Sequence, residues 1–293
     1  MLTSDQIQQY SNEGYTVARQ ALPSELLDEL RHITDEIVAS ARGLTDHTPI
    51  LDLEPSHTPE EPRVRRIKTP QLAHPFYREL AGHECIMSPL RPLIGNDIRL
   101  RAGCKINIKS AAYGSPVEWH QDWAFYPHTN DDVLAVGILL DDMDDSNGPV
   151  MFVPESHKGD VYDHHSAGAF CGAIDLETQA VDVSKAIPIY GKAGDMTIHH
   201  ARLVHGSTVN RSNKSRRILF YEYTAADAWP LAGVEHLDDV DGFNSRIVSG
   251  KPTLRPRLAD VPVKVPLPRA PHQGSIYENQ RTLGHRYFEQ AAD

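Results

Sequence analysis

Residues 194–224 read GDMTIHHARLVHGSTVNRSNKSRRILFYEYT, in which two strand-like runs, 194–200 and 216–224, flank a polar segment. Similar strand-like runs, separated by Gly, Asn, Asp and Pro, lie upstream at 97–109, 133–140, 149–153 and 186–190. Many short strands without interleaved helices are typical of a β-sandwich or β-barrel rather than a βαβ sheet. The sequence therefore predicts a mainly β core.

Helices are predicted on the N-terminal side of this core, within residues 1–95. Thr3 and Gln6 have the spacing of a capping box, which indicates a first helix. A second helix is predicted to begin near Pro23 or Ser24. Apolar residues then recur at three- and four-residue steps, which predicts one buried helix face: Leu26, Leu27, Leu30, Ile33 and Ile37.

Other segments lack a clear hydrophobic periodicity or are rich in charged residues or histidine. Residues 43–62 are predicted to be a loop, and residues 76–94 are predicted to be helical again. The basic cluster RVRRIK, residues 63–68, has two interpretations, a solvated edge or a functional patch. His164 and His165 fall in a predicted loop and are expected at the surface.

The region after the β core has an unusual composition. Six prolines fall within residues 251–271, which therefore form neither an ordinary helix nor a central strand. A weak helical pattern follows over 275–290. We predict that this tail wraps the body and helps to close a pocket. The chain is then one domain, 1–293, with a mostly helical part up to residue 95, a β core over 96–226 and a tail over 227–293.

The composition argues against several classes of protein. The formal net charge is −11, and an acidic surface repels phosphate backbones, so nucleic acid is not an expected partner. No apolar stretch reaches the ~18 residues that a membrane span needs, and the N-terminus lacks a secretory pattern. Three scattered cysteines, Cys85, Cys104 and Cys171, form no disulfide framework. We expect a cytoplasmic protein, and the sequence does not indicate its oligomeric state.

A metal site is suggested by the segment VEWHQDWAFYPHTNDD, residues 117–132, in which one residue separates His120 from Asp122. Side chains two residues apart on a strand point to the same face. The two side chains can therefore converge on one ion, if a third ligand lies nearby.

The third ligand is expected from the segment quoted first. His199, His200 and His205 all occur there, and His205 is favoured because Gly and Ser follow it at a turn. Two histidines and one carboxylate leave open positions on the ion, as in non-haem Fe(II) oxygenases. Three ligands and an open site also suit catalytic zinc, so the ligands alone leave both chemistries open.

Arg216 opens the run RRILFYEYT and can return beside the strand that carries His205. Arginine binds a carboxylate through two parallel hydrogen bonds, which suits the far end of a dicarboxylate such as 2-oxoglutarate. Ser207 can add a hydroxyl, and Arg217 is expected to face the opposite side of its strand. Alternatively, both arginines are ordinary surface charges at a strand entry.

Together these motifs resemble the phytanoyl-CoA dioxygenase family of Fe(II)/2-oxoglutarate oxygenases. The segment VPESHKG, within residues 147–159, is similar to the family's PGSH signature, with Glu155 where Gly is usual. NEGYTVARQALPSELLDEL, residues 12–30, resembles the family's opening helix–strand–helix. The resemblance covers roughly residues 5–225, and the sequence from Asp227 onward matches no pattern known to us.

The resemblance implies a double-stranded β-helix, a cupin-like jelly roll, with helices packed outside. It implies Fe(II) and O2 bound at His120, Asp122 and His205. It also implies 2-oxoglutarate bound by a second group of residues: Arg216, Ser207 and Asn107. Because Asp122 fills the position that related halogenases leave for chloride, hydroxylation or desaturation is expected rather than halogenation.

Further residues are candidates for the substrate pocket. Arg66 falls where some family members have a basic residue in the pocket. Trp123, Phe125 and Tyr126 follow the ligand pair and are expected to wall the pocket, with Phe125 and Tyr126 on opposite sides. His200 is included because either His199 or His200 must face the interior of the barrel.

The predicted activity is a dioxygenase that oxidises an unactivated C–H bond of a small organic substrate while 2-oxoglutarate is decarboxylated to succinate. The scarcity of basic residues and the acidic net charge favour an amine, an amino acid or a natural-product intermediate over a coenzyme A thioester. Two alternatives stay open at this point. They are a mononuclear zinc hydrolase with the same three ligands and a non-catalytic jelly-roll binding protein.

Overall fold

The structure, a computed structural model, describes residues 1–112, 114–232, 239–269 and 276–288. Its strands, in chain order, are β1 (Tyr15–Ala18), β2 (Leu51–Leu53), β3 (Val64–Ile67), β4 (Ile98–Lys109), β5 (Val117–His120), β6 (Val133–Leu139), β7 (Val150–Phe152), β8 (His165–Ser166), β9 (Ala169–Phe170), β10 (Ile187–Pro188), β11 (Met196–His200), β12 (His205–Ser207), β13 (Arg216–Ala225) and β14 (Ile247–Ser249). Its helices are α1 (Ser4–Glu13), α2 (Ser24–Ala39), α3 (Pro70–Ala73), α4 (Phe76–Leu80), α5 (Glu84–Ile94), α6 (Val240–Asn244) and α7 (Ile276–Asn279).

Two antiparallel sheets form the body. The larger sheet has the order β1-β11-β6-β13-β4-β3-β2, and β14 also pairs with β4. The smaller sheet has the order β10-β7-β12-β5, while β8 and β9 form a separate hairpin. Two packed antiparallel sheets of this kind are the arrangement of a jelly roll. The predicted fold class, mainly β with flanking helices, is confirmed.

The helices cover the outer face of the larger sheet. The predicted capping box is present at α1, where Gln6 N donates to Thr3 Oγ1 over 3.2 Å and Thr3 N donates to Gln6 Oε1 over 2.8 Å. Helix α2 begins at Ser24, as predicted. Its buried residues share one core cluster with the β4, β6 and β13 side chains that point outward, such as Ile106 and Val136. Burial of this amphipathic face fixes the helical layer on the sheet.

The inner face of the larger sheet meets the smaller sheet. Leu139 of β6, Phe152 of β7 and Ile218 of β13 belong to one buried cluster between the two layers. The strand pair β4–β13 is the longest ladder, running from Lys109 opposite Arg216 to Ile98 opposite Ala225. Charged side chains of both strands, among them Lys105, Lys109, Arg216 and Glu222, line a cavity on this inner face.

Two local predictions from the sequence, the loop 43–62 and the surface position of His164, are wrong, and one of the two interpretations of the basic cluster is excluded. The predicted loop 43–62 contains β2, and the basic cluster 63–68 forms β3 instead of a solvated edge. Arg65 is only 2% exposed, because it pairs with Glu278 over 2.5 Å. His164, expected at the surface, is buried and accepts a hydrogen bond from Gln121 N over 2.9 Å.

The described residues of the tail lie against the body rather than away from it. Pro262 O accepts a hydrogen bond from Trp123 Nε1 over 2.8 Å, and Pro268 O accepts one from Phe170 N over 3.0 Å. Beyond α7, Gln280 Oε1 accepts from Glu118 N over 3.1 Å. The predicted proline-rich stretch and final helical segment extend beyond the described residues at 270, 271, 275, 289 and 290. Within the described ranges, no helix combines the length and apolarity needed to cross a bilayer.

Candidate active site

Two facing strands of the smaller sheet carry the predicted histidine ligands. His120 ends β5 and lies opposite His205, the first residue of β12, in antiparallel register. Asp122 opens a short 3-10 turn, Asp122–Ala124, directly after β5. One ligand atom from each of the three side chains lies within 4.8 Å of the others, and all three residues are buried. A turn, and not the strand alternation assumed from the sequence, places Asp122 beside the histidines.

The two imidazole rings are oriented for metal binding. Nδ1 of His120 donates to Glu118 O over 2.8 Å, and Nδ1 of His205 donates to Leu203 O over 2.9 Å. Each Nε2 therefore keeps its lone pair, as a metal ligand requires. Burial lowers the pKa of both rings, which keeps them neutral. A neutral His pair and a carboxylate with open space beside them fit a non-haem iron ion.

His199 supports the carboxylate. Its Nε2 lies 3.4 Å from Asp122 Oδ2, and its ring contacts that of His205 with centroids 4.5 Å apart. Burial raises the pKa of Asp122, but the neighbouring His199 and His205 side chains and the charge of Lys105 outweigh it and hold that pKa well below its usual range. Asp122 is therefore charged and available as a ligand.

His200 lies on the opposite face of β11, away from the cavity. Its Nε2 is 3.6 Å from Asp131 Oδ2, and its Nδ1 accepts a hydrogen bond from Arg202 N over 3.1 Å. The structure therefore does not bring His200 to the pocket, and His199 is the inward histidine. The sequence could not distinguish the two, because a one-residue shift of register exchanges the faces of a strand.

A cavity of about 640 Å³ lies beside the three ligand residues. Arg216 lines one end and is 2% exposed. Its Nη2 donates to Gly148 O over 2.5 Å, whereas its Nε has no partner among the described residues. Gly148 has φ +77°, and a Cβ there would lie 2.6 Å from Thr208 O, so the loop that holds Arg216 requires glycine.

The environment of Arg216 fits a carboxylate. A buried guanidinium with a free N–H is strongly stabilised by a bidentate anion. Arg217 points the other way, as strand alternation predicts, and donates to Asp141 from Nε over 2.9 Å and from Nη2 over 2.8 Å. The alternative that Arg216 is an ordinary surface charge is excluded by its burial.

Four more polar residues surround this end of the cavity. Ser207 and Asn107, both expected from the sequence, line it. Lys109, opposite Arg216 on β4, donates from Nζ to Thr208 O, and burial together with the charge of Arg216 lowers its pKa. Tyr277 of the tail also lines the cavity, and its buried hydroxyl has no partner in the described part of the chain.

Lys109 and Tyr277 were missed from the sequence. Lys109 had a usable signal, because it alternates with Asn107 in the run KINIK and therefore shares its strand face. Tyr277 had none, since it comes from a short helix in the weakly patterned tail.

Charged residues also line the other end of the cavity. On β4, Arg101 donates from Nε to Glu222 Oε2 over 2.8 Å, and Lys105 donates from Nζ to Glu222 Oε1 over 3.1 Å. The Arg101 guanidinium lies over the Tyr126 ring at 3.9 Å from its centroid. All four residues line the cavity, and three of them, Arg101, Lys105 and Glu222, were not singled out from the sequence.

The remaining pocket candidates have different positions. Phe125 and Tyr126 both line the cavity, so the expectation that they face opposite sides is wrong, because a turn and not a strand carries them. Trp123 is fully buried under the tail and is not part of the lining. Arg66 lines the cavity but is paired with Asp52, to which its Nη2 lies within 2.8 Å.

The jelly roll, with His120, Asp122 and His205 brought together, defines a cupin-like protein in which these three side chains could hold one metal ion. The phytanoyl-CoA dioxygenase family model matches residues 10–218, and the chain belongs to this family. It is 37% identical over 289 residues to a probable alpha-ketoglutarate-dependent hypophosphite dioxygenase of Stutzerimonas stutzeri, covering 97% of this chain and 99% of that protein.

Solved structures with the same fold include two relevant examples. EctD from S. alaskensis with bound Fe superposes with a TM-score of 0.66 at 22% identity, covering 87% of each chain. The alpha-ketoglutarate-dependent epimerase SnoN from nogalamycin biosynthesis superposes with a TM-score of 0.61 at 23% identity, covering 87% of this chain and 95% of its own. The family resemblance read from the sequence is confirmed. These findings also agree with the predicted cofactors, Fe(II), 2-oxoglutarate and O2.

Proposed function

We propose that this protein is an Fe(II)- and 2-oxoglutarate-dependent dioxygenase of a small molecule. His120, Asp122 and His205 would hold the iron, and Arg216 would hold the far carboxylate of 2-oxoglutarate. The observation that carries the proposal is the buried Arg216 with an unpaired Nε in the same cavity as the three ligand side chains. A metal site alone would not require a buried arginine with an unpaired donor in the same cavity.

The residues of the chain would orient and shield the reactants. Nδ1 bonds to main-chain carbonyls fix both imidazoles, so that their Nε2 atoms face one point. Gly148 fixes Arg216, and Lys109, Asn107, Ser207 and Tyr277 surround the space for the co-substrate. Bound iron would supply oxidation of an unreactive bond by O2, coupled to decarboxylation of 2-oxoglutarate to succinate. Burial of the site excludes water from competing reactions.

The bond that is oxidised is a C–H or a P–H bond. The C–H option follows from the sequence-based expectation of a small organic substrate. The P–H option follows from the relative that is 37% identical over nearly the whole chain and is described as a hypophosphite dioxygenase. Hydroxylation of hypophosphite would place one oxygen atom of O2 in the P–H bond to give phosphite, while the other enters succinate and CO2 is released.

The alternatives account for fewer observations. A zinc hydrolase needs the three ligands and a water molecule, and it gives no use to a buried arginine with a free donor. A non-catalytic binding protein needs neither the neutral, oriented histidines nor the charged Asp122. Cytoplasmic location, a small-molecule substrate and the absence of nucleic-acid or membrane partners stay predictions.

Anaerobic spectroscopy tests the proposal. Purified protein with Fe(II) and 2-oxoglutarate should show a weak visible charge-transfer band, and His205→Ala should abolish it. His200→Ala, on the opposite face of β11, is the matched control and should keep the band. Loss of the band in His200→Ala with retention in His205→Ala would refute the ligand assignment. A protein that binds zinc and never consumes O2 would refute the oxygenase assignment.

A further inference from the structure

We propose that Arg101 and Lys105 form the substrate subsite, and that the substrate is a small oxyanion. The inference rests on the proposed function, and it goes further by naming the substrate class and the residues that bind it. Phosphinate, phosphonate and carboxylate groups share this chemistry: a compact negative charge spread over oxygen atoms.

The first argument is position. Lys105 and Lys109 lie four residues apart on the same face of β4, which is roughly 13 Å along a strand. Lys109 is opposite Arg216, where the co-substrate carboxylate would lie, whereas Lys105 is opposite Phe220, farther along the same ladder. Both ends and the three ligand residues line one cavity. A molecule at Lys105 would therefore share the cavity with 2-oxoglutarate without occupying its place.

The second argument is charge. Arg101 and Lys105 share a single carboxylate, Glu222, so this end of the cavity carries one more positive than negative side chain. The Glu222 side chain is 10% exposed, and those of Arg101 and Lys105 are 23% and 34% exposed. An uncompensated cation in a partly desolvated site is unfavourable, and a small anion offsets it.

The neighbouring charges do not remove this excess. Arg66 lies 2.8 Å from Asp52, and Arg65 lies 2.5 Å from Glu278, so carboxylates already face these arginines. Asp122 would face the bound metal, and the charge of 2-oxoglutarate would face the metal and Arg216. The excess positive charge therefore stays with Arg101 and Lys105.

The third argument is hydrogen-bonding capacity. An ammonium group has three donors and a guanidinium has five. Lys105 directs one donor to Glu222, and Arg101 uses Nε and Nη2 for the same carboxylate, so both retain N–H groups for a ligand. On one side, Phe125 stacks edge-on against Phe170 with centroids 4.9 Å apart and against His120 at 6.1 Å. These rings restrict the size of an anion beside the metal ligands.

The test uses the protein loaded anaerobically with Fe(II) and 2-oxoglutarate. Hypophosphite represents the phosphorus oxyanions, propanoate the carboxylates and propanamide a neutral analogue of matched size. Binding is measured as a change in the charge-transfer band, and succinate release is then measured in air. We expect at least one of the two anions to perturb the band and accelerate succinate release, and propanamide to do neither.

The matched variants are Lys105→Met and Lys158→Met. Lys158 is a half-exposed lysine that pairs with Glu155 on the surface and is not among the residues that line the cavity. Lys105→Met should raise the dissociation constant of the active anion by about tenfold to a few hundredfold, by analogy with truncated charge pairs. The half-saturating 2-oxoglutarate concentration should change less than threefold, and Lys158→Met should behave as the wild type. Arg101→Met provides a second variant if Lys105→Met does not fold.

Failure of the subsite differs from failure of the proposed function. If the wild-type band forms but neither anion perturbs it or accelerates turnover, the substrate class is refuted while the oxygenase assignment stands. Unchanged anion affinity in both Lys105→Met and Arg101→Met would refute the subsite. If no band forms in the wild type, the proposed function is itself refuted, and the subsite with it.

Discussion

Arg216 is the residue on which the co-substrate assignment depends most. Its removal would leave the far carboxylate of 2-oxoglutarate in a buried site without a cation, at a cost of roughly 2–5 kcal/mol. At ~1.4 kcal/mol per tenfold change, Arg216→Ala should weaken 2-oxoglutarate binding by about 30- to 3,000-fold. Fe(II) binding should be nearly intact, because Arg216 bonds to Gly148 and not to a ligand residue. Titration of the charge-transfer band measures both affinities.

The neighbouring arginine provides the control. Arg217 lies on the other face of β13 and binds Asp141 and Asp35, so Arg217→Ala should lower the melting temperature and leave 2-oxoglutarate affinity unchanged. Equal affinities for wild type and Arg216→Ala would contradict the assignment and return the zinc hydrolase to consideration.

Single residues could be predicted from sequence where a local pattern constrains them. The Gly-Ser pair after His205 distinguished it from His200, and Arg216 followed from its place at a strand entry. Glu155, which stands where the family usually has Gly, indeed adopts a left-handed backbone with φ +66°. The pairing of Arg101 and Lys105 with Glu222 was not predictable, because more than one hundred residues separate the partners.

Secondary structure was predictable where apolar residues recur regularly or form a continuous run. The strands β4, β6, β11 and β13 are long or strongly apolar, and their positions agree with the predicted runs. Strand β3 was missed as a strand because its charged residues imply exposure, while distant partners such as Glu278 neutralise them in the interior. The turn at Asp122 was predicted to be part of a strand, because a His-x-Asp spacing does not reveal where a strand ends.

The tail is the element whose contribution is easiest to isolate. Removal of residues 270–293 would take away the Phe288 ring, which packs on Trp119 with centroids 5.2 Å apart, and the bond from Glu118 N to Gln280. We expect the truncated protein to have a lower melting temperature and a weaker affinity for 2-oxoglutarate. Calorimetry and band titration measure the two effects.

A point variant separates these two effects. Tyr277→Phe keeps the packing of the tail and removes only the buried hydroxyl that lacks a partner. It should retain the melting temperature and weaken 2-oxoglutarate binding by about ten- to a hundredfold, the value of one hydrogen bond to a charged group. A truncated protein that is fully active and equally stable would show that residues 270–293 are dispensable.

The whole molecule contains buried neutral histidines that make its stability depend on pH. Burial lowers the pKa of His128 to about 4 and that of His164 to about 3. In the unfolded chain both histidines have the ordinary pKa of about 6.5 and take up a proton at higher pH than in the folded protein. The stability that the neutral histidines contribute is therefore fully present above pH ~6.5 and is lost as pH falls toward 4. Between pH 7 and pH 5, each of the two histidines should lower the free energy of unfolding by about 2 kcal/mol.

Thermal unfolding across this pH range measures the effect. In His128→Gln the melting temperature should depend less steeply on pH, since glutamine does not titrate. His32→Gln is the control, because His32 lies on the exposed face of α2, with its side chain 74% exposed, and should leave the slope unchanged. The same slope in His128→Gln and wild type would show that other groups dominate acid unfolding.

The two sheets divide the catalytic apparatus between them. The smaller sheet and the turn after it hold the residues that would bind iron, while the side chains that would choose the oxidised molecule stand on β4 and β13 of the larger sheet. Exchanges on β4 would therefore change the substrate end of the cavity without replacing a side chain that would bind iron. Such separation favours evolutionary diversification, since a lineage can acquire a new specificity through one or two exchanges on β4 while its oxidative chemistry persists. The same property makes β4 the natural place to begin directed evolution of this scaffold.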